Sequence, residues 1–203
     1  FPMTRATITA LLPSLATSSK IAAIGDVLGT FDQDRSTGIF GTLGPSPKMV
    51  PVTIFLESSE RNLSQTFKFE IVDNPLFTPL LTYVSVLNTF RSWTQEVGAT
   101  TYLVKGRTQV QNRDDVLFND IYTGTDASLG AAAAIAAPLV TLLANDFAPV
   151  TLNGLDITIT SIEEPRTATL QRVWLDASRL RAGDTVPLKV LSRTYGGADV
   201  LET

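Results

Sequence analysis

The segment Thr66 to Trp93, TFKFEIVDNPLFTPLLTYVSVLNTFRSW, changes periodicity partway along, and that change decides the fold class. Up to Val72 the pattern is two-residue: Phe67, Phe69 and Ile71 alternate with Lys68, Glu70 and Val72. Such alternation places one set of side chains on each face of a strand. Asp73-Asn74-Pro75 then interrupts it. Asp and Asn cap helices through their side-chain oxygens, and Pro fits a first helical turn. Apolar residues then fall at Phe77, Leu80, Leu81, Val84, Leu87, Phe90 and Trp93, in steps of three and one. This spacing predicts an amphipathic helix over about 75–97, ending near Gly98. Its predicted core face holds those seven residues, and its polar face holds Thr82, Ser85, Asn88, Ser92 and Gln95. That polar face carries little charge, so packing on a sheet is favoured over binding a membrane surface.

Upstream the chain reads as strands. Residues 3–12 alternate, and Ser18 to Ile24 is a second short strand. From Ile24 to Val52 runs IGDVLGTFDQDRSTGIFGTLGPSPKMVPV, with glycines at 25, 29, 38, 41 and 44. Glycines at such intervals between apolar or β-branched pieces predict a strand-turn-strand ribbon over Val27–Gln33 and Thr37–Thr42. No GK[ST] follows, so the stretch is not a phosphate loop. Met49 to Glu57 is a strong strand, with Pro51 suggesting an edge position or a strand start. Ser58 to Ser64 is its hairpin loop.

Downstream, strands are predicted at Thr100–Val110 and Val116–Tyr122. A second helix is predicted at about Ala127–Ala144, capped by Asp126 or Ser128, with Pro138 kinking or splitting it. Strand patterns return at Val150–Ile162, Ala168–Leu175 and Val186–Leu191, with a tight connection at Arg181-Ala182-Gly183-Asp184. Gly106-Arg107 and Gly196-Gly197 read as turn signals, and Trp93 and Trp174 as core anchors. The expected fold is α+β, predominantly antiparallel β with two helices packed on the sheet. Residues 1–148 form the core domain. Residues 149–203 form a β tail, within the same domain or opening a truncated β-sandwich.

Composition excludes several chemistries. The 203-residue chain has no Cys and no His, so disulfides, thiolate nucleophiles, imidazole bases and His- or Cys-ligated metals are not available to it. No G-x-S-x-G or S-x-x-K setting is present. The 16 basic residues are scattered among 20 acidic ones, with no cluster suited to nucleic acid. The longest apolar run, Leu129–Ala144, is too short for a membrane span. The chain opens on Phe1 rather than Met and is read as a processed or excised piece. No cofactor or metal is expected.

The candidate site is Asp32, Asp34 and Arg35. Two carboxylates two residues apart on a strand point the same way and are able to bind a cation or tune a general acid. An Asp- and Gly-rich turn also selects such residues for backbone hydrogen bonding, and this structural role is preferred. Asp114, Asp115, Asn119, Asp120 and Asp126 do not fit calcium-loop spacing and read as hairpin ends.

Gln33, Asp34, Arg35, Gly38, Gly41, Gly44, Met49, Pro51 and Val52 together match a Q-D-R-x-x-G-x-x-G-x-x-G stretch running into a Pro-Val strand. This run resembles a segment of bacterial proteins of the SpoIVB-like peptidase family (family S55). Asn145-Asp146-Phe147 and Leu180-Arg181-Ala182-Gly183-Asp184-Thr185-Val186 resemble the region after that family's peptidase core. Members carry a nucleophilic serine in a G-M-S-G-S-P setting and a partner histidine, and neither occurs here. The resemblance therefore implies a non-catalytic structural or protein-binding module of an extracytoplasmic protein, secreted or envelope-associated. Its expected partner is another protein or the peptidase region of the same parent chain. The alternatives are a carboxylate-dependent, glycosidase-like hydrolase using Asp32 and Asp34, or a carbohydrate-binding β module presenting Tyr102, Tyr122 and Tyr195.

Overall fold

A computed structural model describes residues 1–13, 15, 18–93, 98–177, 179 and 181–203. Its centre is a five-stranded sheet with two helices on one face. The contributing elements are β4 (Met49–Ser58), β5 (Ser64–Val72), α1 (Phe77–Trp93), β6 (Thr100–Val110), β7 (Val116–Gly124), α2 (Ala127–Leu143) and β8 (Leu152–Ile162). The chain lays down one hairpin and a helix, then a second hairpin and a helix. Strand β8 then inserts between the inner strands of the two hairpins, giving the order β5-β4-β8-β6-β7. It runs parallel to β4 and antiparallel to β6. All other strand pairs among the described residues are antiparallel, so the α+β, mainly antiparallel expectation holds.

Two further three-stranded sheets flank this unit in sequence. The first joins β1 (Pro2–Leu12), β2 (Ser19–Arg35) and β3 (Gly38–Leu43) in that order. The second joins β9 (Ala168–Leu175), β10 (Leu188–Thr194) and β11 (Asp199–Glu202) in the order β11-β10-β9. Residues from 149 onward thus divide between two sheets: β8 is the middle strand of the central sheet, and β9–β11 form their own. The hydroxyl of Thr101, fully buried on β6, donates to the carbonyl of Glu164 at 2.7 Å and accepts from the amide of Arg166 at 2.8 Å. It fastens the link from β8 to β9 onto the central sheet.

Several elements differ from the expectations above. The two short strands expected before and after Gly25 are one 17-residue strand, β2, which absorbs irregular pairing with β1 through bulges. Strand β4 is interior, between β5 and β8, so the edge reading of Pro51 fails while the strand-start reading holds, Pro51 lying near the beginning of β4 (Met49–Ser58). Pro51 is tolerated because the parallel ladder to β8 begins one residue later, at Val52 opposite Leu155, so no bond to β8 needs its absent N–H. Gly106 lies inside β6, opposite Phe118, rather than in a turn. A Cβ there would enter the Phe118 ring, which packs over the glycine. Trp174 is only half-buried in β9, where the Arg172 guanidinium lies 5.1 Å from its ring centroid, so it is not a core anchor. Pro138 does not split α2, which continues through it. The good helix formers on both sides carry the helix past the one missing donor.

The largest departure is the orientation of α1. Its cap is as expected: Asn74 Oδ1 accepts from the amides of Leu76 and Phe77, both at 3.0 Å. The described helix stops at Trp93; residues 94–97 of the predicted span, Gln95 among them, lie outside the described residues, as does Leu180. The fully buried residues of α1, however, are Thr78, Pro79, Thr82, Val86, Thr89 and Phe90; of the predicted core face Phe90 is buried and Leu81, Leu87 and Trp93 pack against the core, while Phe77, Leu80 and Val84 are exposed. The threonines reach the core with their hydroxyls already satisfied. Thr82 Oγ1 donates to the Thr78 carbonyl at 2.7 Å, Thr89 Oγ1 to that of Ser85 at 3.0 Å, and Thr78 Oγ1 to that of Val72 at 2.7 Å. Bonded in this way, each presents its methyl to the core much as valine would.

The core itself is Val50, Val52, Ile54 and Leu56 of β4, Leu155, Ile157 and Ile159 of β8, Tyr102 and Val104 of β6, and Ala131, Ala132, Ile135 and Leu139 of α2. Alanines at the α2 contact let that helix lie close to α1 and the sheet. One polar atom in this region is unmatched. Thr108 Oγ1 is buried and makes no hydrogen bond. Replacing it with the isosteric valine removes a desolvated hydroxyl and loses no bond. Thr108→Val is expected to raise stability by about 1 kcal/mol, read as an increased denaturant midpoint at unchanged slope.

Candidate functional site

The ribbon forms as its glycines dictate. Strands β2 and β3 pair with Phe31 opposite Gly41, Gln33 opposite Phe40, Asp34 opposite Ile39 and Arg35 opposite Gly38. A bulge leaves Asp32 as the extra residue between Phe31 and Gln33. Such a bulge re-aims a side chain, which is how residues 31, 32 and 34 all reach one cavity. Gly44, at φ +107°, ends the ribbon in a conformation open to glycine.

That cavity is about 590 Å³ and open to solvent, lined by Phe1, Phe31, Asp32, Gln33, Asp34, Ile39 and Phe77. It lies where the ribbon meets the start of α1, and the rings of Phe1 and Phe77 meet edge-on at 5.4 Å. The structure therefore brings Asp32 and Asp34 together at one wall, while Arg35, opposite Gly38 at the turn, is not part of the lining. Asp32 Oδ2 accepts from Thr42 Oγ1 at 2.7 Å. Among the described residues no salt bridge joins Asp32 or Asp34 to a cation.

This geometry limits the chemistry. A glycosidase needs carboxyls flanking the scissile bond from two sides, one of them kept from water so that it holds a proton. Here both carboxylates come from one strand, both are exposed, and the facing wall is Phe77. What the arrangement can do is hold a cation on an apolar stem, with phenyl rings against the stem and carboxylates beside the charge. The aromatic lining leaves no mark in the sequence. Helical spacing assigns Phe77 to the core face of α1, and Phe1 belongs to no pattern.

The other candidates resolve as structural. Asp115 lies 3.7 Å from Arg107, which also pairs with Asp156 at 2.9 Å; the hydrogen bond to Asp156 holds the guanidinium above its ordinary pKa. Asp120 accepts from the Tyr122 hydroxyl at 2.6 Å, and that bond holds its carboxyl below the usual range. Partial burial, reinforced by Asp120, pushes the Tyr122 phenol up to about 12. No group of metal-ligating side chains occurs among the described residues. The three tyrosines form no platform: Tyr102 is buried against Phe90, Tyr122 is tied to Asp120, and only Tyr195 is exposed. No helix among the described residues is long and apolar enough to cross a membrane.

No protein-family model, no curated protein and no solved structure matches the chain.

Proposed function

We propose that this chain is a non-catalytic, protein-binding module of an extracytoplasmic bacterial protein related to the SpoIVB-like serine peptidases. Its partner is the peptidase region of the same parent protein. The observation that carries this reading is the state of the two three-stranded sheets. Ile24 of β2 is 80% exposed and Leu43 of β3 is 72% exposed, and Ile8, Ile39, Leu170, Val173 and Leu201 are exposed with them. A three-stranded sheet gains independent stability from a packed hydrophobic face, and large apolar side chains exposed in such number mark a protein contact. The lack of His and Cys, the lack of a nucleophile setting and the resemblance of the Gly-rich ribbon support the same reading. The cavity beside Asp32 and Asp34 suits a lysine or arginine side chain of the partner.

Purified 203-residue chain is expected to leave casein uncut, and proteolysis sensitive to a serine-directed inhibitor would overturn the reading. Hydrogen exchange supplies the positive arm. Amides of β1–β3 and β9–β11 are expected to gain protection when the chain is joined to the peptidase region of its parent. Unchanged exchange in both sheets would sink the proposal.

A further inference from the structure

The central unit is unusual in which face it turns to water. The open face of the five-stranded sheet is mixed: exposed Lys105 and Thr158 and the ion-paired Arg107 and Asp156 lie on it beside exposed Phe55, Leu117 and Ile121. The outer face of the helix layer is apolar. Leu76 is 71% exposed, Leu80 52%, Val84 43% and Val140 51%. Helix α2 has no charged residue, and α1 has only Arg91, in its last turn. This face arises from the inward threonines of α1: with Thr78, Thr82 and Thr89 taking core positions, Leu80 and Val84 are turned outward.

We infer that the α1–α2 layer is the contact face of a homodimer. Between the helices runs a groove of about 550 Å³ whose lining includes Pro79, Leu80, Tyr83, Ala133, Ala137 and Val140. Within the lining Pro79 and Ala136 are buried, the small Ala133 and Ala137 are exposed, and the larger Leu80 and Val140 are exposed with them. A ridge next to a groove on one surface is self-complementary about a twofold axis, because each copy's ridge meets the other's groove. The size is also sufficient. Each helix has 17 residues and is about 25 Å long, and the pair is about 20 Å wide, so one copy offers a footprint of about 500 Å². Two copies together bury about 1,000 Å², the lower bound for a specific interface. A lipid surface fits less well, since helices that lie on membranes carry Lys and Arg along their polar flank and these do not. This contact is separate from the two three-stranded sheets assigned to the partner protein.

Sedimentation of the chain at micromolar concentration is expected to give twice the 21.9 kDa chain mass. Leu80→Lys with Val140→Lys places unpaired charges in the contact and is expected to weaken dimerisation about 100-fold or more. Ile39→Lys with Leu43→Lys, on the ribbon, is expected to leave the dimer intact. Because the chain has no cysteine, Ala137→Cys is a unique reporter, and a short bis-maleimide should join two copies through it. This arm is decisive if the double lysine variant loses its circular dichroism signal. A monomeric wild-type chain, dissociation by the ribbon variant alone, or binding to phosphatidylcholine vesicles without self-association would each overturn the inference.

Discussion

Phe90→Ala is expected to lower the unfolding free energy by about 3–5 kcal/mol, at the upper end of what truncating one core side chain costs. Phe90 is buried in the last turns of α1 and packs on Tyr102 of β6 with ring centroids 4.5 Å apart. It is the largest fully buried side chain of the protein's described residues and the principal anchor of the helix on the sheet. Truncation removes the transfer free energy of the ring and leaves a cavity between helix and sheet. The surrounding β-sheet residues are held in register on both sides and are unable to collapse into that space. Domains of this size have total stabilities of about 5–15 kcal/mol, so the loss is a large share of the whole. Urea unfolding should show a lower midpoint at unchanged slope. Leu80→Ala, on the same helix but facing outward, should cost the monomer less than about 0.5 kcal/mol. A cost for Leu80→Ala comparable to that of Phe90→Ala would mean that Leu80 is buried beside Phe90, as hydrophobic periodicity suggests, and it would remove the basis for the dimer.

That periodicity shows where local patterns succeed and where they stop. Strands are legible because alternation is a local signal, as in Thr66–Val72 and the LDITIT run of β8. Both helices are legible from their spacing, and Asn74 from its capping chemistry. The face of α1 is legible only in part: Leu81, Leu87, Phe90 and Trp93 meet the core as their spacing implies, but polarity alone places Thr82 toward water, whereas a threonine hydroxyl bonded to a carbonyl one turn back leaves a side chain shaped like valine. The place of β8 in the middle of the sheet depends on pairing across about a hundred residues of chain, which no local pattern records. At the candidate site, Asp32 and Asp34 are legible as a pair on a strand. The cavity is not, because its far wall, Phe77, comes from a different element. Gly106 and Trp174 escape a local reading for the same reason: their neighbours, Phe118 and Arg172 across or along a sheet, are set by tertiary structure.

Gly29→Ala is expected to unpair β3 from β2, with a loss of about 3 kcal/mol in the free energy of opening that strand. Gly29 lies mid-strand in β2, with Met3 of β1 on one side and Leu43 of β3 on the other. A Cβ built there would collide with the carbonyl oxygen of Thr42 and would lie 2.8 Å from Leu43 Cα. Met3 is able to swing aside, since only the tip of its side chain is close. The backbone of β3 is held by the ribbon's hydrogen bonds and moves only if they break. For Gly106→Ala the nearest atoms all belong to the ring of Phe118, a side chain that moves at lower cost than backbone, and Gly196→Ala meets nothing within 4 Å. The effect should be local, because this sheet's apolar side chains are largely exposed and contribute little to the central core. Amide exchange across Gly38–Leu43 should therefore rise sharply, while exchange in β4, β6 and β8 stays near the wild-type rate. Exchange of β3 at the wild-type rate would show that the ribbon tolerates a side chain at 29 and is looser than its register implies. Because β3 sets Ile39 opposite Asp34, its loss also opens one wall of the cavity. Gly29→Ala should then abolish the protection that the peptidase region confers on β1–β3 and leave self-association through α1 and α2 unchanged.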